Sequence, residues 1–310
     1  MKNFLRLLVA LAFIIPPLSS VFAQDKPSIG LVTINLQALF FNQINDGAND
    51  AAAELGVDLQ IVDGNNDPAR QVQAIETFIT QQVDAIIVVA IDVNGIKPVV
   101  GAAREAGIPV VAIDAKVDVP PANSFIGVDN FGAGVQAGAY TLGFVQGAMD
   151  GKAKIGIVGA LNSFIQNQRR DGFVQALTSP GIEIVGTVDG QNVQEVALSA
   201  AENLVTANPD MNIIYATGEP ALIGVIAAVE SQGLQDRVKV IGWDLTKQAV
   251  QAVDQGFVQA VIQQDPYQEG FEAVKASLAL MNGEDLAEEV LIPVAIVTKD
   301  NIDDFRSLFQ

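Results

Sequence analysis

From Ile29 onward, short apolar runs alternate with stretches whose apolar residues recur at helical spacing. The runs predict strands over Ile29 to Ile34, Val57 to Val62, Ala85 to Ile91, Val110 to Ile113, Ile155 to Val158, Ile182 to Val188, Ile213 to Tyr215, Val238 to Ile241 and Val258 to Ile262. Phe125 to Val128 is a further short candidate. Several runs are almost wholly apolar, as strands are when helices cover both faces, so parallel sheet is expected. Ile44, Ala48, Ala51 and Leu55 make one helical stripe closed by Gly56, and Val72, Ile75 and Ile79 make another opened by Asp67-Pro68. Glu219-Pro220 opens a helix that Gly233 closes, while Arg169 and Arg170 start one carrying Phe173, Ala176 and Leu177. Repeated βα units of this kind are the mark of an α/β fold.

The second half of the chain echoes the first. Displaced by 126 positions, Glu76, Thr80, Asp84, Ile87, Ala90 and Gly107 fall without a gap on Glu202, Thr206, Asp210, Ile213, Ala216 and Gly233. Two related α/β domains are therefore expected. After a small shift the following strands also correspond, so Asp114 closes Val110 to Ile113 as Asp244 closes the strand ending in Gly242-Trp243. Ligands bind at the carboxyl edges of open parallel sheets, and two domains facing each other would present both carboxylates to one cleft. Capping of the turns that follow is the other reading of the two Asp residues.

Composition narrows the chemistry. The chain has 310 residues, 50% of them hydrophobic and 17% charged, which fits a globular protein of two domains. Its formal net charge is −19, and a basic cluster is missing, so a nucleic-acid partner is not expected. There is neither Cys nor His, which removes thiol nucleophiles, His-based triads, disulfides and the usual zinc ligands together. At the start of the chain, Lys2 and Arg6 precede the apolar stretch Leu7 to Ile15, then Pro16-Pro17 and Val21-Phe22-Ala23. This reads as a signal peptide over residues 1–23, cleaved on export to a periplasm, because the apolar stretch is too short to span a bilayer.

Few motifs suggest catalysis. Gly132-Ala133-Gly134-Val135-Gln136-Ala137 fits the loose dinucleotide pattern, but close helix packing explains it better than a cofactor, and no cofactor or metal is expected. Two-carboxylate glycosidase chemistry through Asp114 and Asp244 is a formal rival. Phe40-Phe41 stand at a strand-to-helix junction where one ring is free to face a cleft, and Trp243, the only Trp, directly precedes Asp244. An aromatic face beside a carboxylate suits a sugar, whose C–H face stacks while its hydroxyls donate to the acid. One of Arg169 and Arg170 would add forked donors, the other being solvated.

Leu39-Phe40-Phe41 before Gly47-Ala48, Gly107-Ile108-Pro109-Val110-Val111 leading to Asp114, Val128-Asp129-Asn130, Arg169 before Gly172-Phe173, Gly242-Trp243-Asp244 and Gln264-Asp265-Pro266 together resemble the periplasmic sugar-binding proteins of the ribose type. The resemblance covers essentially all of the chain after the leader. It implies two Rossmann-like domains with parallel sheets, joined by a three-crossover hinge, with the ligand in the interdomain cleft. The N-terminal lobe would hold residues 24–128 plus 264–293 and the C-terminal lobe 129–263 plus 294–310. It further implies a non-enzymatic role, in which a monosaccharide is bound by hinge closure and handed to the membrane permease of an ABC importer, a chemoreceptor being a second candidate partner. Phe40 or Phe41 would stack on the sugar, Asp114, Arg169 and Asp244 would grip hydroxyls, and Gln264 would contact ligand from the hinge. Trp243, Gln37 and Asn192 complete the candidate set. A ribose binder would carry Asp-Arg where this chain has Asp114-Ala115, an aromatic near Asn192 and an Asn in place of Gly218. The stretches Gly218 to Ala221 and Val294 to Thr298 resemble fructose-binding members instead, so fructose is the expected sugar. A signal-molecule binder of the same fold and a secreted sugar-active enzyme are the alternatives.

Overall fold

The structure is a computed structural model that describes residues 26–118 and 122–309. The leader read from the sequence lies outside the described residues. The first elements are β1 (Ser28–Thr33), α1 (Leu39–Leu55), β2 (Asp58–Asp63), α2 (Pro68–Gln81), β3 (Ala85–Val88), α3 (Lys97–Glu105), β4 (Val110–Ile113) and β5 (Ser124–Gly127). They are followed by α4 (Asn130–Ala148), β6 (Ala153–Gly159), α5 (Phe164–Ala176), β7 (Ile182–Asp189), α6 (Gln194–Ala207), β8 (Ile213–Ala216), α7 (Glu219–Ser231), β9 (Lys239–Trp243), α8 (Lys247–Gln255) and β10 (Val258–Gln263). Then come α9 (Pro266–Met281), β11 (Glu289–Leu291), β12 (Ala295–Val297) and a C-terminal 3-10 helix, Ile302–Phe309.

The strands form two six-stranded sheets in the orders β11-β5-β4-β3-β1-β2 and β12-β10-β9-β8-β6-β7. Replacing β1 to β5 by β6 to β10 turns one order into the other, so the internal repeat seen in the sequence is a repeat of topology. All pairings are parallel except β10 with β12. The chain passes between sheets three times: from β5 into α4, from β10 into α9, and from β11 to β12.

Each sheet is covered on both faces, which is why its strands read as unbroken apolar runs. In the first sheet Val32, Ile86, Val88 and Val110 pack under α2 and α3, while Ile29, Leu31, Ile87 and Val111 pack under α1 and α9. In the second, Val158, Ile214 and Val240 pack with α6, α7 and α8, and Ile155, Ile157, Ile213 and Ile241 pack with α4 and α5. The glycines of the dinucleotide-like stretch serve that packing. A Cβ at Gly134 would lie 2.3 Å from the Arg169 carbonyl oxygen, so α4 and α5 cross backbone to backbone. The equivalent crossing of α1 and α9 uses Gly47 against Tyr267 and Gly270 against Ile44.

Three details differ from the sequence reading. Leu55 is 40% exposed, because the α1 stripe turns through Asn45, Gly47, Ala48 and Ala52 towards α9 instead. Helix α5 begins at Phe164, with the Ser163 hydroxyl accepting from the Gln166 amide, so Arg169 and Arg170 stand in mid-helix. The edge strands β11 and β12 are only three residues each, too short to give a period.

Candidate ligand-binding site

The two carboxylates that end β4 and β9 are built alike. Asp114 and Asp244 both adopt left-handed backbone, with φ of 59° and 62°, a conformation Asp tolerates better than bulkier residues. Their amides donate to the neighbouring strand, Asp114 to Ile126 and Asp244 to Ile262, both at 2.9 Å. The strand thus stays paired to its last residue while the left-handed turn redirects the carboxylate at the sheet's carboxyl edge.

Arg169 is buried, at 5% exposure, and held on every side. Its Nε donates to Asn130 Oδ1 at 2.8 Å and its Nη1 to the Thr217 carbonyl at 3.3 Å. The guanidinium carbon sits over the Trp243 ring, 3.7 Å from the centroid. Nη1 is 3.9 Å from Asp244 Oδ2, too long for a hydrogen bond, so the pair attracts without being tied together. Gln264 in the β10–α9 passage donates to Asp244 Oδ1 at 2.8 Å, linking the hinge to the same carboxylate.

The indole corrects one expectation. Trp243 is fully buried, its Nε1 donates to Tyr215 Oη at 2.7 Å, and the Arg169 cation covers its face. It has no surface for a sugar ring and acts as the bed on which Arg169 lies. Tyr215 in turn stacks on Phe173 at 3.8 Å. Phe40 and Phe41, in the first turn of α1, are both half-buried and meet edge to face at 5.4 Å.

Gln37 is exposed at the β1–α1 loop, and Asn192 is exposed at the β7–α6 loop with φ of 56°. Each is placed by a residue the sequence reading missed. Buried Asn35 accepts from the amides of Gln37 and Ala38 and donates to Asn66, fixing that loop. Buried Gln166 donates to Asn192 and accepts from the Ala160 amide and the Thr217 hydroxyl, tying together the loops after β6, β7 and β8. Arg170 pairs with Asp171 and Asn167 at the surface.

A third missed residue is Glu269, in the first turn of α9. It is completely buried and neither carboxyl oxygen has a hydrogen-bond partner. An acid among Pro266, Gly270, Ala273, Val274 and Ser277 on one helical face is a signal that periodicity alone could have found.

The acids feel one another. Burial raises the Asp114 carboxyl to about 6, against the lowering effect of the Arg169 charge and with a further push from Asp244. Burial also raises Asp244, while Arg169 and the Gln264 hydrogen bond oppose the shift. Glu269 is raised well above the ordinary range, by burial first and then by the charges of Asp114, Asp265 and Asp244. Burial pulls the Arg169 guanidinium down against these same acids. Asp114 at the edge of the first sheet thus lies near enough to Arg169 and Asp244 at the edge of the second for their charges to act on it. Among the described residues no group of acids gathers closely enough to hold a metal ion. A cavity of about 520 Å³ is lined by Gln264 together with Gln43, Asp265, Tyr267, Val294 and Phe305 among others. It lacks Arg169 and the paired strand-end carboxylates.

Comparison with known proteins agrees on one family. The sequence profile described as "Periplasmic binding protein domain" matches residues 29–285. The ribose import binding protein of Escherichia coli K12 is 27% identical over 280 residues, covering 90% of this chain and 93% of that protein. A putative rhizopine-binding protein of Rhizobium meliloti is 31% identical over 296 residues, covering 92% and 94%. Among solved structures, a periplasmic solute-binding protein from Actinobacillus succinogenes with bound D-allose superposes with a TM-score of 0.80 at 29% identity, covering 90% of this chain and all of that one.

Proposed function

The chain belongs to the periplasmic binding protein family, and on that footing we propose that it is the substrate-binding component of an ABC sugar importer, exported to the periplasm, capturing one monosaccharide-sized polyhydroxylated ring and presenting it to the permease. The observation that carries this reading is the Arg169 guanidinium, held by Asn130, Thr217 and Trp243 beside Asp244, with Asp114 on the opposing sheet edge. Such an arrangement offers fixed donors and acceptors to vicinal hydroxyls from both lobes and holds no nucleophile with a paired base. Phe40 or Phe41 supplies the apolar face, Gln264 reports occupancy to the hinge, and Gln37 and Asn192 form the rim. The relatives bind, by their names, ribose in one case and allose in another, so the ring class follows the family. Fructose is the sugar favoured by the likeness of Gly218 to Ala221 and Val294 to Thr298 to fructose-binding members.

The test is a thermal-shift screen of the protein without its leader against pentoses, hexoses and cyclic polyols, followed by calorimetry. Ligand at a hundredfold its Kd stabilises the native state by about 2.7 kcal/mol, a shift of several degrees. Asp244→Ala is expected to lose at least ~2 kcal/mol of affinity, because it leaves ligand hydroxyls without their acceptor and the buried Arg169 charge without its counter-ion. Wild-type affinity in that variant would remove Asp244 from the site, and turnover of the bound sugar would replace a receptor by an enzyme.

A further inference from the structure

A chain of hydrogen bonds runs from Arg169 to the exposed rim of the second sheet, and its direction is fixed at one point. The Ala160 backbone amide can only donate, and it donates to Gln166 Oε1 at 2.9 Å. The Thr217 hydroxyl donates to the same oxygen at 2.8 Å. With both lone pairs of Oε1 taken, Nε2 is the atom that faces Asn192, and it donates to Asn192 Oδ1 at 2.8 Å. Gln166 is buried, so water cannot take over these bonds and let the amide turn. Asn192 is oriented in turn. Its carbonyl is spent on Gln166, while its Nδ2 donates to no protein group among the described residues and the residue stands exposed.

The surrounding backbone is shaped for this relay. A Cβ at Gly159 would lie 2.0 Å from the Thr217 hydroxyl oxygen, and one at Gly218 would lie 2.8 Å from Gln166 Nε2, so both glycines clear its path. Gln191 and Asn192 are left-handed, with φ of 52° and 56°. Asp189 Oδ1 accepts from the Gln191 and Leu161 amides, holding the β7–α6 loop against the β6–α5 loop. Thr217 belongs to both networks, because its carbonyl accepts from Arg169 Nη1 at 3.3 Å.

We infer that Gln166 is a positioning residue that makes Asn192 a hydrogen-bond donor to the ligand, so that the oxygen met at this rim is read as an acceptor. The inference rests on the receptor reading above and assigns the sense of one contact within it. Asp114 and Asp244 can only accept from a polyhydroxylated ring, whereas Arg169 and the Asn192 amide group can only donate to it. Two substitutions reverse the sense at the rim without shortening a side chain. Q166E puts an oxygen where Nε2 stands, so Asn192 turns its own NH2 inward and shows Oδ1 to the ligand. N192D keeps the bond from Gln166 and shows a carboxylate oxygen.

The experiment is calorimetry on the protein without its leader, with D-ribose, D-allose, D-fructose and myo-inositol, then with every monodeoxyfluoro derivative of the tightest binder among them. Fluorine cannot donate and accepts weakly, so it is tolerated opposite a donor and rejected opposite an acceptor. The ratio of fluoro to parent Kd is expected to rise about tenfold or more at one ring position, the same position in Q166E and N192D, with the other positions changing less than about threefold. A residue that only supports the fold would weaken all derivatives alike. Ratios unchanged in both variants, a uniform loss, or different positions in the two would overturn the inference and leave the receptor reading standing. Silence of the wild type towards these four compounds and the wider sugar panel would remove both. Melting curves establish that each variant is folded. Where Q166E is not, Gly218→Ala, whose Cβ presses on Gln166 Nε2, takes its place and should raise the ratio at the N192D position.

Discussion

Arg169 gets its orientation from its neighbours in the fold. Its guanidinium lies on the Trp243 ring, and Trp243 is anchored by Tyr215, so two aromatics and one hydrogen bond decide where the cation points. Trp243→Leu should therefore lose ligand affinity about tenfold or more while leaving every direct contact residue in place, which calorimetry can read. Because the indole is fully buried, acrylamide should quench the emission of this only Trp several-fold less than that of free tryptophan, before and after ligand addition. Quenching typical of an exposed indole would restore Trp243 to the cleft surface. The acids set a pH dependence of stability. A carboxyl whose folded pKa is raised favours folding while protonated, and that contribution is lost as pH climbs from the unfolded value through the folded one. For Asp114 the window runs from about 4 to about 6, with Glu269 extending it upward, so the ligand-free protein should melt lower at pH 7.5 than at pH 5. Glu269→Gln removes the buried charge at near-constant volume and should raise the melting temperature at pH 7.5 by at least about 2 °C, with a flatter pH profile.

At the scale of elements, the close crossing of α4 and α5 positions the Arg169 backbone directly. A side chain at Gly134 would collide with the Arg169 carbonyl, and β-branched bulk forces α5 outward. Gly134→Val is expected to destabilise by about 1–3 kcal/mol and to weaken ligand binding at least tenfold, where Gly143→Ala, on the same helix with open space at its Cβ, should do neither. The pattern of the chain foretold these elements unevenly. All nine strand runs, the helices opened by Asp67-Pro68 and Glu219-Pro220 and the left-handed closures at Gly56 and Gly233 were legible, because caps and apolar runs are local. Asp114 and Asp244 were legible through the repeat. What could not be read was anything fixed by a crossing of distant segments: the Arg169 bed, the three loops tied by Gln166, and the isolation of Glu269. Hydrogen-bond partners 20 to 50 residues apart leave no period in a sequence. Trp243 was misread for the same reason, since its burial depends on a helix whose approach is set by glycines.

The whole molecule is two copies of one topology joined by three passages, with Gln264 in one passage bonded to Asp244 in the site. In the proposed receptor, contacts to ligand from both lobes would convert binding into closure, and a shift from 1:99 to 99:1 needs about 5.5 kcal/mol of preference for the closed form. A few charge-assisted hydrogen bonds and one stacked ring are of that size. Gln264→Ala should cut the coupling, leaving ligand affinity lower and the compaction seen by small-angle scattering on ligand addition reduced or absent. The direct trial is a crystal structure with the ligand that gives the largest thermal shift. Its polar atoms should lie within about 3.2 Å of the carboxylates of both Asp114 and Asp244, with Arg169 still over the Trp243 ring. A ligand seated instead in the 520 Å³ cavity that Gln264 lines with Tyr267 and Phe305, away from both carboxylates, would contradict the assignment.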